Sequence, residues 1–330
     1  MIDISQEEIM EKWPRNIDTP MVSIRCATYN HQAYIAQSLD SLLAQKTDFP
    51  FEVIVHDDAS TDDTAKIVRE YEKKFPKIIK PIYEIENRYS KHDGSLRKIR
   101  DKACKGKYFA ICEGDDFWTD PLKLQKQIDY LEKNESCGLV YAKCKYFYES
   151  EQTLSKKIYG GPNETFDELI KLNTIPSLTV VYRADLFFRY LKEIVPEDKK
   201  WVAGDLPTWL WFSCRSKIHF IDECVGVYRY TNNSASHCNN VEKQIHFKCG
   251  MIDIKTFFLR WQGRSVSDKW IVYSKSVLKL RVYAVNRCFK LFLSQWISLL
   301  KQDPLKTLTK KELYLYVLFF FSRRLCQKHV

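Results

Sequence analysis

Through the first 135 residues, short apolar runs alternate with stretches whose apolar positions recur every three or four residues. Met21–Ala27, Phe51–Val55, Ile78–Tyr83 and Tyr108–Cys112 read as β-strands, the second of them apolar enough to be buried on both faces. Between them, Ala33–Gln45 places Tyr34, Ile35, Leu39, Leu42 and Leu43 on one helical face. A second helix runs to Lys74, with Ser60 as its expected N-cap and Pro76 beyond its end. A basic helix follows from about Ser95 to Cys104, and another opens at Pro121 and runs to about Lys133. Strands separated by helices predict right-handed βαβ units and a doubly wound α/β sheet.

The middle of the chain is less regular. Gly138–Tyr148, Leu178–Tyr182, Lys217–Ile221 and Val225–Tyr230 read as strands, and Leu206–Cys214 as a helix after the Gly204-Asp205 turn. From about Val241 the pattern is helical throughout, which places a boundary near Asn239-Asn240.

Charge divides the chain at the same place. The whole carries +10, yet residues 1–240 hold 34 Lys and Arg against 37 Asp and Glu, and residues 241–330 hold 18 against 5. A basic tail on a near-neutral domain suggests a local anionic partner; nucleic acid is not expected. An apolar content of 45% and a charged content of 28% are those of a globular protein. Eleven scattered cysteines without a C-x-x-C pair, and a polar, acidic N-terminus unlike an export signal, point to reduced thiols in the cytoplasm.

In open parallel sheets, ligands bind beyond the carboxyl ends of the strands. Here those ends carry Thr28-Tyr29-Asn30-His31, His56-Asp57-Asp58 and Glu113-Gly114-Asp115-Asp116, so carboxylates from different strands converge on one crevice. Adjacent carboxylates repel, and a hard Mg2+ or Mn2+ shared with substrate phosphates is their natural counter-charge. Gly114 lets the backbone turn close to a ligand. Neither G-x-x-x-x-G-K-[ST] nor G-x-G-x-x-G occurs, which argues against a P-loop and a nicotinamide cofactor and for a nucleoside-diphosphate donor held through metal.

Cys26-Ala-Thr-Tyr-Asn-His31, Val53-Ile-Val-His-Asp-Asp-Ala-Ser-Thr-Asp-Asp-Thr64, Cys104-Lys-Gly-Lys-Tyr108 and Glu113-Gly-Asp-Asp-Phe-Trp118, in that order, resemble family 2 glycosyltransferases across roughly residues 20–236. The nearest likeness is to the bacterial branch that builds O-antigen and capsular polysaccharide. The resemblance implies a GT-A fold, with a catalytic domain over residues 1–240 and a basic helical region over 241–330. The donor half would span about 20–120 and the acceptor half about 121–240.

It further implies a donor site in which Thr28 and Tyr29 line the uridine, Asp58 contacts the base with Asp57 beside it, and Arg229 reaches the diphosphate. Asp116, with Asp115, would hold Mn2+ or Mg2+. Arg97 stands near the family's basic diphosphate contact, with Lys98 and Arg100 as alternatives on a helix that lacks the usual Ala-Arg-Asn-x-Gly wording. Asp205 would be the base that deprotonates the acceptor hydroxyl. One departure stands out. Tyr228-Arg229-Tyr230-Thr231 has Thr where many relatives carry the histidine of Tyr-Arg-x-His, and His237 is the nearest substitute.

The expected reaction is inverting transfer of a hexose or N-acetylhexosamine from a UDP-sugar to a hydroxyl of a lipid-diphosphate-linked saccharide. In the tail, Trp270-Ile-Val-Tyr, Leu291–Ile297 and Leu313–Phe321 beside Lys and Arg suggest helices lying on the inner face of the bacterial inner membrane. The competing readings are a metal-dependent nucleotidyltransferase and a non-catalytic sugar-binding protein.

Overall fold

Val22, Ile24 and Cys26 of β1 (Val22–Thr28) are fully buried, as are Val53 and Val55 of β2 (Phe51–Asp57). These two strands lie side by side and parallel, one strand in from the sheet edge. The computed structural model describes residues 2–15, 19–231 and 240–302. The described residues form two compact units: one runs to Lys200 and resumes over Thr208–Thr231, and the other joins Trp201–Pro207 to the helices after Asn240.

In the first unit, α1 (Gln6–Ile9) precedes β1, and α2 (Ile35–Leu43) follows it. Ile35, Leu39, Leu42 and Leu43 of α2 are all buried, so the three-to-four spacing seen in the sequence is the face that covers the sheet. After β2 come α3 (Thr64–Lys74), β3 (Ile79–Tyr83), α4 (Ser95–Ala103) and β4 (Tyr108–Ile111). Strands β3, β2, β1 and β4 lie side by side and parallel, the βαβ order expected. The N-cap of α3 is Asp63 and not Ser60, whose hydroxyl bonds to the Asp57 carboxylate instead. A polar partner across the loop outcompetes the local cap.

Next are β5 (Phe117–Trp118), α5 (Lys123–Lys133), β6 (Cys137–Tyr148), β7 (Thr153–Tyr159), α6 (Phe166–Lys171), β8 (Val181–Arg183), α7 (Ala184–Ile194), α8 (Asp205–Arg215) and β9 (Lys217–Tyr230). The sheet continues past β4 through β8, β6, β9 and β5, with β7 on the far part of β6. It is mixed there, β8 running antiparallel to both β4 and β6. The strand expected at Leu178–Tyr182 starts as a turn of 3-10 helix at Ser177–Thr179, because the Thr179 hydroxyl bridges the carbonyls of Ala142 and Pro176. The two strands expected between Lys217 and Tyr230 are one, since β6 offers a continuous parallel partner whose register shifts absorb the irregularity.

The second unit contains α9 (Val241–Trp261), α10 (Asp268–Val285) and α11 (Phe289–Gln302). Its own core is Tyr273, Leu280, Ala284, Phe292 and Leu299. Within the same unit Trp201 sets its ring against Phe257 and Phe258 of α9, with centroids 5.2 and 5.8 Å away. No described helix is long and apolar enough to cross a membrane. Leu313–Phe321 and His237, singled out in the sequence, lie outside the described residues.

Candidate active site

The register of the parallel strands brings the polar strand ends together. Thr28 stands opposite Asp57, and Asp58 donates its amide to the Thr28 carbonyl at 3.0 Å. The loops that follow are tied to one another. The amides of Asn30, His31 and Gln32 donate to Ser60 Oγ, Thr64 Oγ1 and Asp62 Oδ2, at 2.9, 2.8 and 3.1 Å. In return, Thr61 and Asp63 donate to the side-chain oxygens of Asn30 and Gln32. Asn30 and Ala59 both sit at positive φ, 54° and 62°, which the cross-ties hold in place.

Next to these loops lies the Glu113–Asp116 turn. The Gly114 amide donates to the Ala27 carbonyl at 2.8 Å, and Ser38 Oγ on α2 bonds to the Glu113 carbonyl at 3.3 Å. A Cβ at Gly114 would come within 2.7 Å of Thr28 Oγ1 and 2.8 Å of Thr28 Cβ, so only glycine lets the two loops meet this closely. Asp116 is buried and accepts the backbone N–H of Arg229 at 2.8 Å.

Arg229 is also buried. Its Nε donates to the Asp115 carbonyl at 2.9 Å, Nη1 to Glu149 Oε2 at 2.7 Å and Nη2 to Gln37 Oε1 at 2.5 Å. The guanidinium lies 4.6 Å from the Tyr34 ring centroid. The arginine expected at the diphosphate is thus built into the wall, clamping the acidic turn to α2 and to Glu149 just past β6.

Burial pushes the Asp115 carboxyl above its ordinary value, and Asp116 further, because its neighbour's charge adds to the burial. Burial also lowers His31. The His31 Nε2 lies 3.9 Å from Asp115 Oδ2, and its Nδ1 is buried without a hydrogen-bond partner. Thr28 Oγ1, beside the turn, is likewise buried and unpartnered.

Other expected donor residues are placed as follows. Tyr29 is exposed at the mouth of the loops. Asp57 is buried and bonded to Ser60. The Asp58 carboxylate accepts the amides of Arg88 and Tyr89 at 2.7 and 3.0 Å, so it shapes the segment after β3. Arg97 is paired with Asp101 and Glu197, and Lys98 reaches the same Glu197 at 3.7 Å. Arg100 differs from both: its Nε is buried with no hydrogen-bond partner, and burial beside Arg25 lowers its pKa to about 10. Asp205 opens α8 in the second unit, where its Oδ1 accepts the Leu206 amide at 2.7 Å.

The donor set suits a divalent cation. A buried carboxylate, Asp116, and a half-buried one, Asp115, stand side by side near the unpartnered Thr28 and His31 atoms, where Gly114 lets the loops pack closely. Among the described residues no three or more of His, Cys, Asp and Glu form a cage for a metal. Mg2+ and Mn2+ bound with nucleotides take much of their coordination from phosphate and water, so an incomplete protein shell is the expected form. Of the groups in this crevice, sequence reasoning left His31, Gln37 and Glu149 without a role. His31 carried a signal in its strand-end motif; the other two carried none.

Residues 23–190 match glycosyl transferase family 2. An uncharacterized protein of Mycobacterium tuberculosis is 38% identical over 166 residues, covering 49% of this chain and 46% of its own length. UDP-Glc:alpha-D-GlcNAc-diphosphoundecaprenol beta-1,3-glucosyltransferase WfaP of Escherichia coli is 30% identical over 161 residues, 49% of this chain and 60% of its own. The match to the mycobacterial relatives thus spans about half their length. Among solved structures, S. aureus TarS 1-349 in complex with UDP-GlcNAc superposes with a TM-score of 0.52 at 18% identity, over 91% of this chain and 79% of that one. Mannosyltransferase PcManGT from Pyrobaculum calidifontis in complex with GDP-Man and Mn2+ gives 0.52 at 17% identity, over 94% and 88%. Motifs, topology and site thus agree: the chain has the GT-A fold and belongs to glycosyl transferase family 2.

Proposed function

We propose that this chain is an inverting, metal-dependent glycosyltransferase that moves a hexose or N-acetylhexosamine from a UDP-sugar to a hydroxyl of a lipid-diphosphate-linked saccharide, in synthesis of a bacterial surface polysaccharide. One observation carries the reading: Thr28, Asp57 and the Glu113–Asp116 turn converge at the carboxyl ends of adjacent parallel strands, with Arg229 locking the turn. WfaP, named for transfer from UDP-Glc to a GlcNAc-diphosphoundecaprenol, and TarS, solved with UDP-GlcNAc, support the donor and acceptor classes. PcManGT, solved with Mn2+, supports the metal.

Mn2+ or Mg2+ bound with the donor supplies Lewis-acid stabilisation to the departing nucleoside diphosphate. Asp116 and Asp115 hold that cation, and Arg229 fixes their direction. Thr28 and Tyr29 wall the nucleoside, and the loop tied down by Asp57 and Asp58 closes it. Arg97 or Arg100 meets the diphosphate, and Arg100 is the one whose Nε is buried with no hydrogen-bond partner. Asp205 takes the proton from the acceptor hydroxyl, which makes the attack a single displacement with inversion.

The second unit, basic and helical over its described residues beyond Asn240, brings the enzyme to the cytoplasmic face of the inner membrane. Seven Lys and Arg against one acidic residue between Asp268 and Gln302 favour an anionic surface. Phe289, Leu293 and Ile297, at successive fourth positions of α11, are each nearly half exposed.

The test is transfer from a panel of UDP-sugars to a synthetic GlcNAc-diphosphate lipid, with and without Mn2+. Wild type should transfer at least one sugar only with metal, Asp116→Ala should abolish transfer, and Asp205→Asn should lose roughly 10²–10⁴-fold in rate. Transfer that survives chelation and Asp116→Ala would sink the metal assignment, and full activity in Asp205→Asn the base.

A further inference from the structure

Three neighbouring strands carry tyrosines in register. Tyr146 and Tyr148 of β6 stand opposite Tyr228 and Tyr230 of β9, and Tyr159 of β7 stands opposite Cys144, two residues before Tyr146. Side chains alternate along a strand, so all five project from one face of the sheet, the reverse of the face that carries Arg229. The ring contacts agree. Tyr146 stacks on Tyr159 with centroids 3.7 Å apart and planes 11° from parallel, and it tilts against Tyr228 at 5.1 Å. Tyr148 and Tyr230 are tilted partners at 5.6 Å. Each of the five is half-buried, with part of its side chain open to solvent.

A sheet face that only needs covering is ordinarily closed with aliphatic residues or Phe. Tyrosines offer wide π faces with a hydroxyl at each rim. The Tyr148 and Tyr159 hydroxyls lie 3.2 Å apart, and a bond between them uses one of their two protons, leaving the other for a further acceptor. Lys157 adds an ammonium 5.3 Å from the Tyr159 ring centroid. Flat rings edged with donors match a sugar ring, whose C–H face meets π electrons and whose hydroxyls bond at the rim. A purely apolar partner would leave those donors unmet. The position matches as well. Tyr148 and Tyr230 end β6 and β9, and the Glu149–Arg229 pair that holds the acidic turn lies directly beside them in sequence.

We propose that this tyrosine face binds the saccharide of the acceptor, its sugar rings stacked on the phenol rings and its reacting end at the carboxyl edge by Tyr148 and Tyr230. This rests on the glycosyltransferase reading above and adds to it the surface that selects the acceptor. Recognition by ring faces favours a saccharide over a simple alcohol or a bare lipid diphosphate.

The measurement is saturation-transfer NMR on the full-length chain, irradiating aromatic protons and reading the sugar C–H protons of short-chain, water-soluble GlcNAc- and hexose-diphosphates. The same alkyl diphosphate without sugar is the control. Wild type should transfer saturation to the ring-face protons of at least one sugar. Tyr148→Leu with Tyr230→Leu keeps apolar bulk without the rings and should lose most of it, saccharide affinity falling about threefold to tenfold. Tyr148→Phe with Tyr230→Phe keeps the rings and should retain most of it. Thermal melting and UDP titration of each variant check that the fold and the donor site persist. No transfer to any sugar in wild type, or undiminished transfer in the leucine pair, overturns the tyrosine platform while leaving the donor site intact. Failure of wild type to bind UDP overturns the glycosyltransferase reading, and the acceptor platform with it.

Discussion

The backbone N–H of Arg229 donates to Asp116 Oδ1 at 2.8 Å, while the side chain of the same arginine holds the carbonyl of Asp115 at 2.9 Å. One residue thus fixes both members of the acidic pair, one through its main chain and the other through its guanidinium. Arg229→Lys keeps the first bond and a charge but loses the fork that reaches Asp115, Glu149 and Gln37 together. It should lower stability by about 1–3 kcal/mol in chemical denaturation. It should also weaken Mn2+–UDP binding about tenfold, one decade being about 1.4 kcal/mol of lost interaction. Unchanged metal binding in Arg229→Lys would show that the carbonyl clamp is dispensable.

Gly114→Ala tests the approach of the two loops. The added methyl would meet Thr28 Oγ1 and Cβ at 2.7 and 2.8 Å and Ile35 Cδ1 at 3.0 Å, all within a packed wall. The expected cost is about 1–3 kcal/mol in denaturant unfolding. UDP affinity should fall with it, because the displaced wall is the one proposed to line the nucleoside. A variant with wild-type stability and UDP affinity would show that the wall yields freely.

Metal binding should depend on pH in a direction set by burial. Asp115 and Asp116 are both raised above the ordinary carboxylate value, so protons compete with the cation at higher pH than they would at exposed aspartates. Mn2+ affinity measured with UDP present should therefore decline on acidification before exposed carboxylates begin to titrate. Affinity constant down to the ordinary aspartate range would contradict the burial of the pair.

Lys123 predicts a pH dependence of stability as well. Its side chain is fully buried, with Nζ 2.7 Å from Gln127 Oε1 and 4.0 Å from the Trp118 ring centroid, and burial lowers its pKa to about 7. Between about pH 7 and the ordinary lysine range near 10, the unfolded chain carries a proton that the folded chain lacks. Stability therefore rises with pH across that window, by up to about 1.4 kcal/mol per unit for this group. Unfolding of wild type against Lys123→Met at several pH values should show the slope only in wild type.

The parallel half of the fold was legible because its signals are local: apolar runs, a helical face on α2, and polar clusters at the ends of β1, β2 and β4. What a residue does in the site was less legible, since its partners lie far away in sequence. Glu149 and Gln37 stand 80 and 192 positions from Arg229, and nothing near either residue marks them as its partners. Asp58 looked like a ligand group, yet its oxygens are engaged by amides 30 and 31 positions on. Lys123 sits on an ordinary amphipathic helix whose sequence gives no sign that the ammonium faces inward. The edge strand β7 escaped notice because Thr153–Tyr159 is largely polar and exposed and pairs only with β6.

The six bonds that lace Asn30, His31 and Gln32 to the segment Ser60–Thr64 bear on how a nucleotide would be received. Loops that close over a ligand only on its arrival lose conformational freedom at that moment, and affinity suffers accordingly. These two are already laced together, two of their residues held in backbone conformations that side chains rarely adopt. Their ordering took place when the chain folded. A nucleotide base bound there, as proposed, would meet a finished socket, and discrimination among nucleotides would be a matter of shape rather than of how readily the loops can be recruited.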